Sequence, residues 1–316
     1  MPKFALIFPG QGSQKIGMGK NFSESFQTAK ETFQEIDEIL AQNLSQLMFN
    51  GDIAELTKTE NTQPALMAVS VAISNVINEN LNKKLTNLTS YVAGHSLGEY
   101  SALTIANTLK LSDTAKLLKI RGESMRDAGQ KTQGTMAAVI GVNITTAEEI
   151  TNEAAKYGIC QIANDNSDGQ IVISGSIEAI DKAISIGKEL GAKKVIKLPV
   201  SGAFHSKLMQ EAQDKLAPEI LKTNFNIPEI PIITNLSAKA ENKTDIIQKL
   251  LIEQVTSKVR WRETILELEN QGVSDIIEIG SGTVLTGLTK RIAPNINSHN
   301  ISEPQDLDNI LKLLGI

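Results

Sequence analysis

Between Gly94 and Ala102 the chain reads Gly-His-Ser-Leu-Gly-Glu-Tyr-Ser-Ala, directly after the short apolar run Tyr91-Val92-Ala93. Ser96 therefore sits at the centre of a G-x-S-x-G pattern, between a strand signal and a proline-free stretch, 97–109, that predicts a helix. Few local geometries satisfy that arrangement. A strand turning sharply into a helix lifts the serine hydroxyl clear of the sheet and aims the next backbone N–H, that of Leu97, at a carbonyl under attack. The competing reading is an ordinary strand-to-helix turn. The pattern predicts an α/β fold with its reactive face at a strand end, and it makes Ser96 the first candidate nucleophile.

Residues 4–8 predict a buried strand followed by the glycine loop Pro9-Gly10-Gln11-Gly12-Ser13-Gln14, so loop and elbow both succeed strands. Phe22, Phe26, Ala29, Phe33, Ile36 and Leu40 recur at steps of three and four, the period of one buried helix face. A second helix is expected from near Thr62 through Leu66, Val69, Ile73 and Ile77, with Pro64 in its first turn where a missing N–H does no harm. A third, capped by Asp113, is expected to run to about Ala128.

The stretch 136–200 is self-contained: strand 136–141, helix 145–157, strands 159–163 and 170–174, helix 177–190, strand 194–198. That order, β-α-β-β-α-β, is the ferredoxin-like plan. Lying between Arg121 and His205, it predicts a lid-like subdomain, 130–198, inserted beside a cleft in an α/β body made of 1–129 and 199–316. The length of 316 residues leaves room for two such units.

A net charge of −5 argues against nonspecific binding to nucleic acid or to an anionic membrane, either of which needs a broad basic face. Cys160 is the only cysteine, which excludes an internal disulfide or a multi-thiolate metal site and suits a reducing cytoplasm. The first apolar run breaks at Pro9-Gly10, too soon for a secretory segment or a membrane span. A cytoplasmic monomer is the expectation. No spacing of histidines and carboxylates suggests zinc. The G-x-G-x-x-G pattern fails at Lys15, which argues against a dinucleotide cradle, and no Walker loop is present. Gly280-Ser281-Gly282-Thr283, between strand 275–279 and helix 284–292, reads as a tight turn, with phosphate binding at the helix N-terminus as the alternative.

A serine nucleophile needs a base, and the chain has three histidines. His95 lies inside the elbow, where its ring is expected to point away from the Ser96 hydroxyl; a substrate-side role is the alternative. His299, between Ser298 and Asn300, reads as a surface residue. His205 follows the turn-rich segment 199–204, which can carry it to a cleft edge, and is the base by elimination and position, against the reading of a surface loop histidine. Arg121 falls between Leu117 and Leu118 on the helix face that Met125 continues. A guanidinium on an apolar stripe needs a carboxylate: a substrate's, bound by its planar fork, or an internal partner, unless the side chain snorkels. Arg126 reads as surface.

Gly10-Gln11-Gly12-Ser13-Gln14, Gly94-His95-Ser96-Leu97-Gly98-Glu99-Tyr100, Arg121-Gly122, Ala203-Phe204-His205-Ser206 and Gln254-Val255 follow one another in this order. Together they resemble the malonyl-CoA:acyl carrier protein transacylases across nearly the whole chain. The resemblance implies an α/β-hydrolase-like body with a ferredoxin-like insertion. It implies Ser96 as nucleophile, His205 as base, the N–H groups of Gln11 and Leu97 as oxyanion hole, and Arg121 as receptor for the malonyl carboxylate. It also implies a positional role for Asn164 in the cleft, and a backbone carbonyl at Gln254 orienting His205 where other triads use an acid. Malonyl-CoA is the implied substrate, with CoA released and no bound cofactor or metal. An acidic acyl carrier protein is the implied partner, with Lys193 and Lys194 beside the cleft and Lys290 and Arg291 near the last helix as docking cations.

The segment 162–166 and its neighbour depart from the commoner wording at Asp165 and Asp168, as does the Gly280 loop. Ala203-Phe204 resembles the malonyl-type rather than the methylmalonyl-type wording. The implied reaction is ping-pong transfer in fatty acid biosynthesis. The alternatives are a serine esterase or thioesterase on the same elbow, a noncatalytic carrier-binding subunit, and a stand-alone polyketide acyltransferase.

Overall fold

The computed structural model describes residues 2–200 and 202–315; Ser201, in the segment before His205, lies outside them. In chain order the strands are β1 (Phe4–Phe8), β2 (Thr89–Gly94), β3 (Gly134–Ile140), β4 (Cys160–Ser167), β5 (Gln170–Ser176) and β6 (Lys194–Lys197). They continue with β7 (Ile232–Ile233), β8 (Ala240–Glu241), β9 (Asp275–Ile279) and β10 (Asn297–Ile301). Two sheets result, ordered β10-β9-β1-β2-β7-β8 and β4-β5-β3-β6.

The first sheet is parallel at every pairing except β7 with β8. All five residues of β1 are buried, as a central parallel strand covered on both faces requires. β1 and β2 pair with Phe8 opposite Gly94, so the two strands end together. The second sheet is antiparallel throughout, with helices Ile144–Ala154 and Ile177–Glu189 packed through Ala147, Ile150, Ala179, Ile180 and Ala183 on a core from β3 and β5. The chain is thus a mixed α/β fold, a parallel sheet beside a smaller antiparallel one.

The small sheet is tied to the larger body rather than hung on its connecting segments. Asp165 N–H donates to the Val259 carbonyl (2.9 Å) and Val259 N–H to the Ala163 carbonyl (2.8 Å). The buried Asp165 carboxylate takes Arg262 Nε on both oxygens, at 3.1 and 3.0 Å. A paired carboxylate at this seam gives the Asp165 departure a structural reason. Cys160 begins β4, buried, and burial pushes its thiol up to about 12.

Several helix bounds differ from expectation. The stripe from Phe22 to Leu40 occupies two helices, Lys20–Ser25 and Gln27–Leu40, because Phe26 takes extended backbone (φ −132°, ψ 124°). Ser23 and Ser25 favour such a break, since serine competes for backbone hydrogen bonds outside helices. The helix expected from near Thr62 starts at Thr59. The N–H groups of Asn61 and Thr62 already bond the Lys58 carbonyl, so Pro64 lies in the second turn and deprives the Glu60 carbonyl of its usual donor. The helix holding Arg121 spans Leu111–Thr132; its N-cap is Lys110, while Asp113 sits in the first turn, where a carboxylate suits the helix dipole. The elbow helix is Gly98–Ile105, ending before the expected Leu109 because Asn107 turns left-handed (φ 57°) and Thr108 and Leu109 bond back to the Leu103 carbonyl. Among the described residues no helix is long and apolar enough to cross a membrane.

Candidate active site

Because β1 and β2 end in register, the loops beyond them meet at one edge of the parallel sheet, the usual place for ligands in such sheets. Ser96 stands in the left-handed region (φ 54°), strained for a residue with a side chain. The elbow closes this tightly because its glycines lack Cβ atoms: one on Gly94 would lie 1.9 Å from the Gly98 carbonyl oxygen, and one on Gly98 2.3 Å from that of Phe8. Asn235 braces the turn. Its side chain accepts from Ser96 N–H (2.7 Å) and donates to the Gly94 carbonyl (2.6 Å).

His205 Nε2 lies 2.8 Å from Ser96 Oγ, and Nδ1 lies 2.9 Å from the Gln254 carbonyl oxygen. A carbonyl can only accept, so the proton resides on Nδ1 and the Nε2 lone pair faces the serine hydroxyl. Burial, joined by the neighbouring Arg121 charge, pushes the imidazole down to about 3, so it stands neutral.

Arg121 is 1% exposed. Its Nη1 donates to Gln63 Oε1 (2.7 Å), and Nη2 donates to Ser96 Oγ (3.1 Å) and to Gln254 Oε1 (2.8 Å). The internal carboxylate that an arginine on an apolar stripe would call for is not in contact: among the described residues no ion pair includes Arg121, and amide oxygens hold it instead. Gly122 lets the two helices approach, since a Cβ there would lie 2.5 Å from Glu60 Cα, and so brings Arg121 within reach of Gln63.

Gln254 is therefore shared between two neighbours, its carbonyl serving His205 and its side-chain oxygen serving Arg121. Its Nε2 donates to the Ser96 carbonyl (3.1 Å) and to Glu99 Oε2 (2.7 Å). Glu99 is buried and also accepts from Asn235 N–H (3.1 Å). Burial pushes its carboxyl up to about 7, against the pull of Gln254, Asn235 and Arg121. Sequence reasoning assigned no role to Glu99 or Asn235; Glu99 at least lay inside the elbow motif, whereas Asn235 carried no signal.

Ser96, His205 and Arg121 floor a cleft of about 160 Å³ whose far wall is the small sheet, through Met136, Asn164, Asn166 and Val172. Gln11 and Leu97 line it, and neither backbone N–H has an intramolecular acceptor among the described residues. Asn164 is buried there, at the strand that docks on Val259. His95 also lines the cleft; its ring points away from the hydroxyl as expected, with Nε2 on Asn166 Oδ1 (2.9 Å) and the ring 5.6 Å from that of Trp261. A wider groove of about 820 Å³, near Asn75, Lys83 and Lys110, holds none of these residues.

The structure also places the remaining candidates. His299 is half-buried on β10, with Nε2 3.1 Å from Asp275 Oδ1, rather than a plain surface residue. Arg126 is partly exposed and pairs with Glu60 and Asp127. Lys193 and Lys194 are exposed but not beside the cleft: Lys194 pairs with Ile140, whereas Leu198 at the other end of β6 bonds Met136, about 13 Å along the strand. Lys290 and Arg291 are exposed in the last turn of helix Val284–Ile292, where cations also suit the dipole. The N-terminus of that helix, the alternative phosphate site, is filled by the Glu278 carboxylate, which accepts from Leu285 N–H (3.1 Å) and Thr286 N–H (2.7 Å). Gly280 and Gly282 at positive φ make the preceding loop a tight turn. Among the described residues no group of three histidine, cysteine or acidic side chains could hold a metal.

Residues 5–300 match the family described as acyl transferase domain. The malonyl CoA-acyl carrier protein transacylase of Bacillus subtilis (strain 168) is 41% identical over 316 residues, which covers 99% of this chain and 98% of that protein. The crystal structure of acyl-carrier-protein-S-malonyltransferase from Bartonella henselae is similar at a TM-score of 0.96 and 46% identity, covering 99% of this chain and 100% of that one. A malonyl-transacylase solved in complex with its type II polyketide acyl-carrier protein is similar at 0.94 and 38%, covering 98% and 99%.

Proposed function

The chain belongs to the malonyl CoA-acyl carrier protein transacylases of the acyl transferase domain family and is an acyltransferase; we propose that it moves malonyl from malonyl-CoA to the phosphopantetheine thiol of acyl carrier protein, in fatty acid biosynthesis, through a malonyl ester on Ser96. One observation carries the proposal. A buried serine hydroxyl touches both a neutral imidazole and a guanidinium that no carboxylate pairs among the described residues.

His205 Nε2 takes the hydroxyl proton as Ser96 Oγ bonds to the thioester carbon. The carbonyl oxygen, now an oxyanion, accepts from the N–H groups of Gln11 and Leu97. The C–S bond then breaks and the proton on Nε2 passes to the departing CoA sulfur. In the second half the carrier thiol gives its proton to His205 and its sulfur attacks the ester. Ser96 Oγ leaves and takes the proton back. Throughout, the Gln254 carbonyl holds Nδ1–H and so keeps Nε2 facing the reaction. Arg121 receives the malonyl carboxylate, its planar fork suiting two oxygens, and so both selects a dicarboxylic acyl group and orients the ester. Asn164 positions the acyl chain from the small sheet.

In this reading the body, 1–129 and 199–316, is α/β-hydrolase-like and 130–198 is a ferredoxin-like insertion, which the strand order β4-β5-β3-β6 supports. The partner is an acidic carrier protein, met by Lys290 and Arg291 near the cleft-bearing body and by Lys193 and Lys194 on the small sheet. The protein acts as a cytoplasmic monomer, with malonyl-CoA as substrate and without nucleic acid, membrane or bound cofactor.

Intact-mass analysis after mixing the protein with malonyl-CoA and holo acyl carrier protein tests the proposal. A malonylated enzyme that passes its acyl group to the carrier is the expected result. Free malonate with no acylated carrier would replace it with the esterase or thioesterase reading, against which Arg121 stands.

A further inference from the structure

The charge of Arg121 poses a physical problem. A buried guanidinium is costly without a nearby anion, yet one paired directly with a carboxylate has little left to offer a substrate's carboxylate. Arg126, Arg260 and Arg262 each lie against an acidic side chain. Beside Arg121 the nearest acid in the hydrogen-bond network, Glu99, is held one amide away.

The bonding fixes how that amide lies. Gln254 Nε2 faces two oxygens that can only accept in their ionised or carbonyl forms, Glu99 Oε2 at 2.7 Å and the Ser96 carbonyl at 3.1 Å. Its Oε1 faces the Arg121 Nη2 donor at 2.8 Å. Turned over, the same amide would set N–H against guanidinium and oxygen against oxygen. Glu99 is in turn held by Asn235 N–H, from the residue that braces the elbow.

We propose that Glu99 is a positioning residue for malonyl selection: by accepting from the Gln254 side chain it locks that amide oxygen onto Arg121, which holds the guanidinium in place while keeping Glu99 itself from pairing with it. The inference rests on Arg121 being the malonyl receptor. Glu99 touches neither the acyl group nor the reacting atoms. Its effect reaches the receptor through the Gln254 side chain, whereas His205 is served by the Gln254 main chain. The two functions of Gln254 are therefore separable.

The test compares loading rates from malonyl-CoA and acetyl-CoA, read as kcat/KM for acyl-enzyme formation, in wild type, Glu99→Leu, Glu99→Asp and Glu99→Gln. Leu removes the acceptor and Asp withdraws it by one methylene, so each is expected to lower the malonyl-to-acetyl ratio about tenfold. Glu99→Gln still presents an oxygen at the same reach and is expected to keep the ratio within about threefold of wild type. Asp serves as the second variant where Leu does not fold. A ratio unchanged in the folded Leu or Asp variants, or malonyl and acetyl loading falling by one common factor, overturns the proposal, as does a Gln variant as unselective as Asp. Failure of the underlying reading looks different: wild type itself would then show no malonyl preference that Arg121→Ala removes.

Discussion

In the parallel sheet the residues that reach the cleft sit in loops beyond strand ends, Gln11 after β1 and Ser96 after β2, whereas in the antiparallel sheet they sit within the strands, Met136 on β3, Asn164 and Asn166 on β4, Val172 on β5. Loop residues gain freedom of direction, which a serine held at positive φ needs. Strand residues alternate faces at fixed spacing, which makes a wall. In the proposed reaction the body holds the chemistry and the small sheet the shape, and the bonds at Val259 and Arg262 join the two.

The hardest test of that division is removal of the reacting pair. Ser96→Ala should abolish malonyl-enzyme formation, and His205→Ala should lower it on the order of 10⁵-fold, both with folding retained, measured by rapid-quench intact mass. A His205 variant retaining a tenth of the activity would break the assignment. Arg121→Ala should lower malonyl loading by about 10² to 10³-fold while acetyl loading falls far less. Equal losses would return Arg121 to a purely structural part of the body.

At the seam, Arg262→Ala leaves the buried Asp165 carboxylate unpaired and should cost about 3 kcal/mol of stability by denaturant titration. If stability is unchanged, the small sheet is held by its backbone bonds alone. His205 supplies a gentler comparison through pH. Its native value of about 3 lies below the ordinary histidine value, so between the two the unfolded chain binds a proton that the folded one refuses. Stability is fully present above about pH 6.5 and is lost as pH falls toward 3. His205→Gln should remove that loss, gaining about 3 kcal/mol over wild type at pH 4 relative to pH 7.5. Parallel melting curves for the two proteins across that range would show the imidazole is not buried neutral. The smallest effect belongs to the wall: Asn164→Ala should raise KM for malonyl-CoA by about threefold and leave kcat nearly unchanged. A drop in kcat matching that of a reacting residue would erase the distinction between the two sheets.

What the chain disclosed on reading divides along similar lines. Ser96, Arg121 and His205 were legible because local pattern speaks for each: an elbow, a charge on an apolar stripe, a histidine after a turn. Asn235 and Glu99 act through partners 139 and 155 residues away, contacts that no local pattern encodes. Lys193 and Lys194 were misplaced for a related reason. Order along a strand does not say which of its ends meets the cleft. Helix starts erred where a familiar cue pointed inward of the true start, as Pro64 did, while the tertiary burial of Thr59 to Gln63 extended the helix outward.

The sole thiol of the chain has a consequence for its traffic in sulfur. A protein that hands acyl groups from one thiol to another is bathed in free CoA and pantetheine, and any exposed thiolate of its own would be drawn into acyl exchange or mixed disulfides. With Cys160 buried in β4 and its proton held until about pH 12, the only thiol this enzyme carries stays a spectator.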